Sequence, residues 1–271
     1  MKELVKLNLI LSFRWKLFLL VSGYLFLVAM ARVILIANEA EPVEVNIWDL
    51  LIQSQGGLKV DATVQMWKYA GWVGALAPLL FFSHHIAGLT HGYDLFLLSR
   101  SGSRSLWWSA KLVSVTILAV LYGIWFLLIH CFVGICFFSV EAGWSPYFSL
   151  AFPELAQLHI KPWPLLGIIW VVFVLGLISV TFAMLTTSLF FRNITHAYVL
   201  VTVFLFGLGA MYLHGWISKK LALFFYPSLI DSFQQDRSSL QVLGDLFSMN
   251  ISFSLVCVMI SMIRIRRYNL S

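Results

Sequence analysis

The chain has 271 residues, of which 61% are hydrophobic and only 11% charged, and its formal net charge is +6. A soluble domain carries about a quarter charged residues, so this balance excludes one of useful size and points to a membrane protein. The positive surplus is divided unevenly between alternate loops, which makes it a topology signal rather than a nucleic-acid footprint.

In chain order, residues 2 to 16 place Leu4, Leu7, Leu11 and Trp15 on one helical stripe, with Lys2, Lys6, Arg14 and Lys16 largely off it. Such a segment suits either an amphipathic elbow helix lying in the headgroup region or a simple charged leader. No small-residue cleavage pattern follows it, so the segment is expected to stay in the mature protein rather than leave as a signal peptide. Six apolar stretches then succeed one another: Leu17–Ala37, Tyr69–Gly88, Leu112–Phe138, Pro164–Phe191, Ala197–Leu213 and Phe247–Ile263. A hydrocarbon core about 30 Å thick takes about 20 helical residues to cross, and helices satisfy their own backbone polar groups there. The expected fold is therefore all-α, a single transmembrane domain over residues 1–271 with six spans.

The loops set the orientation. Segments before span one, between spans two and three, between four and five, and after six hold 11 Lys and Arg residues, against 6 in the opposite segments. That bias places both termini in the cytoplasm. The first external loop, 38–66, carries Glu39, Glu41, Glu44, Asp49 and Asp61 and reads as a solvated acidic face, with binding of a cationic substrate as the lesser alternative. The external segment 214–245 contains the apolar run Leu221–Tyr226 before Pro227, too short to span, which suits a re-entrant or interfacial helix pair or a surface helix.

Several residues invite functional readings. Arg32 sits about five residues from the outer end of span one, roughly 7 to 8 Å deep, where it can snorkel to the interface or act as a substrate counter-ion. Of the seven histidines only His130 is deep within a span, and no set is matched in depth for haem or a metal. Cys131, Cys136 and Cys257 all fall in apolar spans as small core residues. Thr186, Thr187, Ser188, Gly71, Gly74 and Ala75 suit close helix packing and interhelical hydrogen bonds. The tryptophans gather near span ends, as an interfacial belt.

The longest cytoplasmic loop, between spans two and three, has Leu89, Tyr93, Phe96 and Leu97 at helical spacing, then a Ser/Gly/Arg break, then tryptophans and Lys111. It reads as a short amphipathic helix that either docks a soluble partner or rests on the lipid. Gly92, Leu95, Leu97, Leu98, Ser99, Arg100, Arg104 and Lys111 follow the order of the coupling loop in the membrane subunit of ABC-2 type transporters. Thr90 and His91 stand where that family has a glutamate. The segment Leu185–Ala197 is similar to the family's turn between spans four and five, and Tyr226-Pro227-Ser228-Leu229 resembles its proline segment before span six. With the elbow and six spans, the chain resembles an ABC-2 type permease over nearly its whole length.

The resemblance implies a bacterial cytoplasmic-membrane exporter subunit working as a dimer of identical or related membrane chains. It implies two separate ATP-binding cassette subunits that bind ATP and Mg, since this chain has no phosphate loop of the form G-x-x-x-x-G-K-[ST] and carries no cofactor of its own. The residues it marks for contact with the ATPase are Leu89, Gly92, Tyr93, Asp94, Leu95, Phe96, Leu98, Arg100 and Arg104, and the substrate path is left unassigned. Two other classes stay open: an intramembrane protease or lipid-modifying enzyme, and a sensor subunit that does not transport. The spans contain no acidic residue, which argues against the paired carboxylates or metal ligands an intramembrane enzyme uses.

Overall fold

The computed structural model describes residues 1–12, 15–40, 42–55, 66–87, 103–156, 159–191, 193–213, 216 and 239–266. Ten helices account for nearly all of them: α1 Lys2–Ser12, α2 Trp15–Ala40, α3 Ile47–Gln55, α4 Met66–Ala87, α5 Arg104–Phe137, α6 Pro146–Ala151, α7 Pro153–Ala156, α8 Pro162–Ser188, α9 Ile194–Leu213 and α10 Ser239–Arg266. No β-strand occurs among the described residues; one isolated bridge joins Asn46 to Ser139.

Among the described residues four helices are long and apolar enough to cross a membrane: α2, α5, α8 and the Gly244–Arg266 part of α10. Helices α4 and α9 are 22 and 20 residues long, and the described apolar stretches within them are Gly74–Ala87 and Ile194–Leu208. At 1.5 Å per residue the 34 residues of α5 extend about 51 Å, so one end of it projects beyond a hydrocarbon layer about 30 Å thick. The exposed face of α5 is itself apolar. Val113, Ile117, Leu121, Ile124, Leu128, Phe132 and Ile135 recur every three or four residues and are all more than a third exposed. In water such a stripe would be hidden, whereas acyl chains solvate it at no cost.

The inward stripes build one continuous bundle with α8 at its centre. Helix α8 packs against α3, α4, α5, α9 and α10. In its most apolar window 67% of residues are buried, against 39% or less in the corresponding windows of α2, α5 and α10. Its contact with α5 is close because Gly123 presents no side chain: a Cβ there would stand 2.7 Å from Val174 Cγ2. Around that point Leu25, Leu79, Leu80, Ala119, Tyr122, Phe126, Phe173, Leu177 and Val201 join α2, α4, α5, α8 and α9 in the largest core cluster.

The clusters at the two ends show that successive long helices run in opposite directions. On the side of α1, Leu4 and Leu7 pack with Ile86, Ala87, Trp107, Trp108, Leu185, Leu189 and Ile265. At the far end, Ile52, Phe148, Phe152, Leu165 and Leu246 pack together. Leu4 and Leu7 of the N-terminal stripe thus seat α1 on the bundle, whereas Trp15 belongs to α2 and is exposed.

The first acidic loop is only in part the solvated face expected of it: Glu39 and Glu44 are exposed, but Asp49 is buried. Part of it forms α3, in which Ile47, Trp48, Asp49, Leu50, Leu51, Ile52, Ser54 and Gln55 are all buried against α2, α5 and α8. Asn46 caps α3 by accepting from the Trp48 amide (3.0 Å), while its own amide donates to Asp49 Oδ2 (2.9 Å), a reciprocal capping arrangement. Helix α3 fits because Gly134 of α5 leaves room: a Cβ there would lie 2.8 Å from Ile47 Cγ1. The acidic residues mask an apolar run, 47–52, whose burial outweighs the cost of enclosing one capped carboxylate.

Candidate functional site

Two buried polar arrangements and one junction carry the chemistry of the bundle. The first surrounds the C-terminal end of α3. The Arg32 guanidinium, only 7% exposed, donates through Nη1 to the Gln53 carbonyl at 2.8 Å. A cation at this position is bonded to a backbone carbonyl in the C-terminal half of α3, the side on which the helix dipole favours positive charge. Arg32 therefore turns inward to α3 rather than outward to the interface. Arg32 also acts electrostatically on His130, which is fully buried, stacked on Phe126 at 4.1 Å, and bonded from Nδ1 to the Phe126 carbonyl at 2.9 Å. His130 Nε2, Asp49 Oδ1 and both polar atoms of the Gln55 side chain are buried with no hydrogen-bond partner among the described residues.

Burial raises the Asp49 carboxyl above the ordinary carboxylate range, opposed by the hydrogen bonds from Asn46 and Ser145. Burial likewise raises the Tyr147 phenol, helped by the charge of Glu39, whose carboxylate accepts from the Tyr147 hydroxyl at 3.3 Å. Gln55 does not stand out in sequence as a site residue, and Asp49 does so only as one of five acidic residues in its loop. The signal available was the pairing of Asn46 with Asp49 ahead of an apolar run, which marks a helix start.

The second arrangement is a seam between α8 and α10. Ser179 Oγ lies 3.1 Å from the Asn250 carbonyl, 3.3 Å from Asn250 Oδ1 and 3.0 Å from Ser254 Oγ. Two turns further on, Thr186 donates to the Cys257 carbonyl at 3.1 Å. Thr186 thus makes the interhelical bond expected of a small polar residue in a span.

The junction lies at the roots of the segment between α4 and α5. Lys111, 1% exposed, donates from Nζ to the Ala87 carbonyl at 3.2 Å and sits 4.4 Å from the centre of the Trp107 ring. The last residue of α4 is thereby tied to the second turn of α5. Helix α1 is fastened to the same place, where Asn8 Nδ2 donates to Ser114 Oγ at 3.2 Å. Of the residues marked for contact with an ATPase, Leu89, Gly92, Tyr93, Asp94, Leu95, Phe96, Leu98 and Arg100 lie outside the described residues. Arg104 is exposed on the first turn of α5, just after Ser103, whose Oγ accepts from the Leu106 amide at 3.2 Å and caps the helix.

Among the described residues no group of three or more His, Cys, Asp or Glu is arranged to hold a metal ion. Taken together, these features define an all-helical membrane protein with several helices fit to cross the bilayer and with polar groups enclosed at two depths. Comparison of the chain with protein-family models, curated proteins and solved structures yields no match, so the residues alone carry the functional reading.

Proposed function

We propose that the chain is the permease subunit of an ABC-2 type exporter, in which α2, α4, α5, α8, α9 and α10 span the membrane six times, α1 is the interfacial elbow, and both termini are cytoplasmic. Two such subunits, identical or related, form the substrate path. Two separate ATP-binding subunits supply the energy.

The junction is the observation that carries this reading. Segment 88–102 is rooted at one end in Ala87 and at the other in Trp107 and Lys111. Both roots pack in one cluster with Leu4 and Leu7 of α1, Leu185 of α8 and Leu189 just after it, and Ile265 of α10. A push on that segment would pass to the central helix and to α10 through packed side chains, which move as a unit because the interior is close-packed. That is the mechanical part an ATP-driven permease requires where it meets its motor.

The test is affinity purification of the full-length protein from native membranes under mild detergent, with identification of the chains that come with it and an ATPase assay. A stoichiometric partner bearing a phosphate loop is the expected result. A protein that purifies alone and without ATPase activity would overturn the reading. Charged substitutions at Tyr93, Leu95 and Phe96 should abolish that association and leave membrane insertion intact.

A further inference from the structure

At the α1 end of the bundle, the start of α2 and the end of α4 enclose a groove of about 470 Å³ lined by Trp15, Lys16, Leu17, Leu20, Phe81 and His85. Its lining is tiered. Lys16 and His85 lie near the ends of their helices, with Trp15 beside Lys16, at the depth where tryptophan and basic residues meet headgroups. One turn further into the bilayer, about 6 Å along each helix, lie Leu20 and Phe81, 68% and 42% exposed. The charge is of one sign. Lys16 carries the formal charge of the lining, and none of the described lining residues is acidic.

A basic tier above an apolar tier, in a groove open to lipid, matches the two parts of a phospholipid. We propose that this groove binds an anionic phospholipid of the leaflet on the α1 side, with Lys16 and His85 at the headgroup phosphate and Leu20 and Phe81 against one acyl chain. The volume accommodates the glycerophosphate and the first part of a chain, the remainder lying among bulk lipid. Such a lipid bridges α2 and α4 at the level where Leu17 joins the core. The site is independent of any ATPase partner, since it needs only the bundle and the bilayer.

The experiment uses the full-length protein in detergent, titrated with phosphatidylglycerol or phosphatidylcholine and followed by native mass spectrometry. The wild type should retain phosphatidylglycerol preferentially. Lys16→Gln should weaken that binding about fivefold, the effect of about 1 kcal/mol per basic residue near an anionic surface. Lys16→Gln combined with His85→Gln should weaken it further, with phosphatidylcholine binding little changed. Lys161→Gln, which removes a charge from the opposite end of the bundle, should leave both unchanged. Equal retention of the two lipids by the wild type, unaltered phosphatidylglycerol binding in the double variant, or an equal loss in Lys161→Gln would each overturn the proposal. Should the double variant fail to purify, Leu20→Gln, at an exposed position outside the core, tests the acyl tier and should lower retention of both lipids.

Discussion

At the scale of single residues, Arg32 is where an inward-facing charge has the clearest structural task. Its bond to Gln53 ties α2 to the C-terminal half of α3. A hydrogen bond to a charged donor contributes about 1.5–3 kcal/mol, and the α3 dipole adds to it. Arg32→Ala should therefore lower the thermal midpoint of the purified protein markedly, by about 2 kcal/mol in stability, while Ile34→Ala on the exposed face should change it little. Arg32→Lys should fall between them, since it keeps the charge and loses the fork. A midpoint for Arg32→Ala equal to that of Ile34→Ala would show that the guanidinium does not hold α3. Asp49 gives a prediction of opposite kind. Burial lifts its carboxyl, so the folded chain keeps a proton that the unfolded chain has already released, and wild-type stability falls as pH rises from the ordinary carboxylate range to the raised value. Asp49→Asn retains an oxygen for the Asn46 amide and carries no charge. Its stability relative to wild type should grow as pH rises from the ordinary carboxylate range through the raised value, and a difference independent of pH would contradict the burial of the charge.

At the scale of elements, α3 depends on a close approach that a single methyl group would spoil. Gly134→Val would drive branched atoms into Ile47 and Leu50, which are already 2.8 and 3.3 Å from a bare Cβ position. Overpacking of this kind costs about 1–3 kcal/mol, so the variant should unfold at lower temperature and expose α3 to protease. Gly167→Ala in α8 meets nothing within 4 Å and should be neutral or slightly stabilising, as alanine is the better helix former. Elements of this bundle were legible in sequence wherever length and hydrophobicity coincided. The expected span Leu17–Ala37 lies within α2, and Pro164–Phe191 overlaps α8 to within a few residues at each end. Helix α1 was legible through the Leu4 and Leu7 stripe. Helix α3 was not, because its nine residues are too short to register as a span and five acidic residues nearby dominate the loop's composition. What decides its burial is Gly134, more than 80 residues away in sequence, and no local pattern conveys that. The same holds for Arg32, whose depth could be counted along span one but whose partner, Gln53, belongs to an element hidden in a loop.

At the scale of the whole molecule, the arrangement is a central helix, α8, with four long neighbours whose ends alternate between two faces. Clusters of residues distant in sequence define those faces: Leu4, Ala87, Trp107, Leu189 and Ile265 at one, Phe148, Leu165 and Leu246 at the other. The alternation has a consequence for topology that the charge bias among loops also implies. Lys2 and Arg266 stand at the same end of the bundle, and Glu141, exposed after the far end of α5, stands at the opposite end. In a variant whose Cys131, Cys136 and Cys257 are replaced by alanine, a cysteine placed at 2, 141 or 266 reports its side of the membrane through a maleimide that cannot cross it. With intact cells, Glu141→Cys should be labelled, and Lys2→Cys and Arg266→Cys should be labelled only after the membrane is opened. Labelling of positions 2 and 266 on opposite faces would require an odd number of crossings and would exclude the six-span reading. Labelling of both from outside would keep the six spans but invert the protein, and segment 88–102 would then face away from any cytoplasmic ATPase. The three positions therefore separate an error in the number of spans from an error in their direction, and only the direction bears on whether a motor can reach the junction at Lys111.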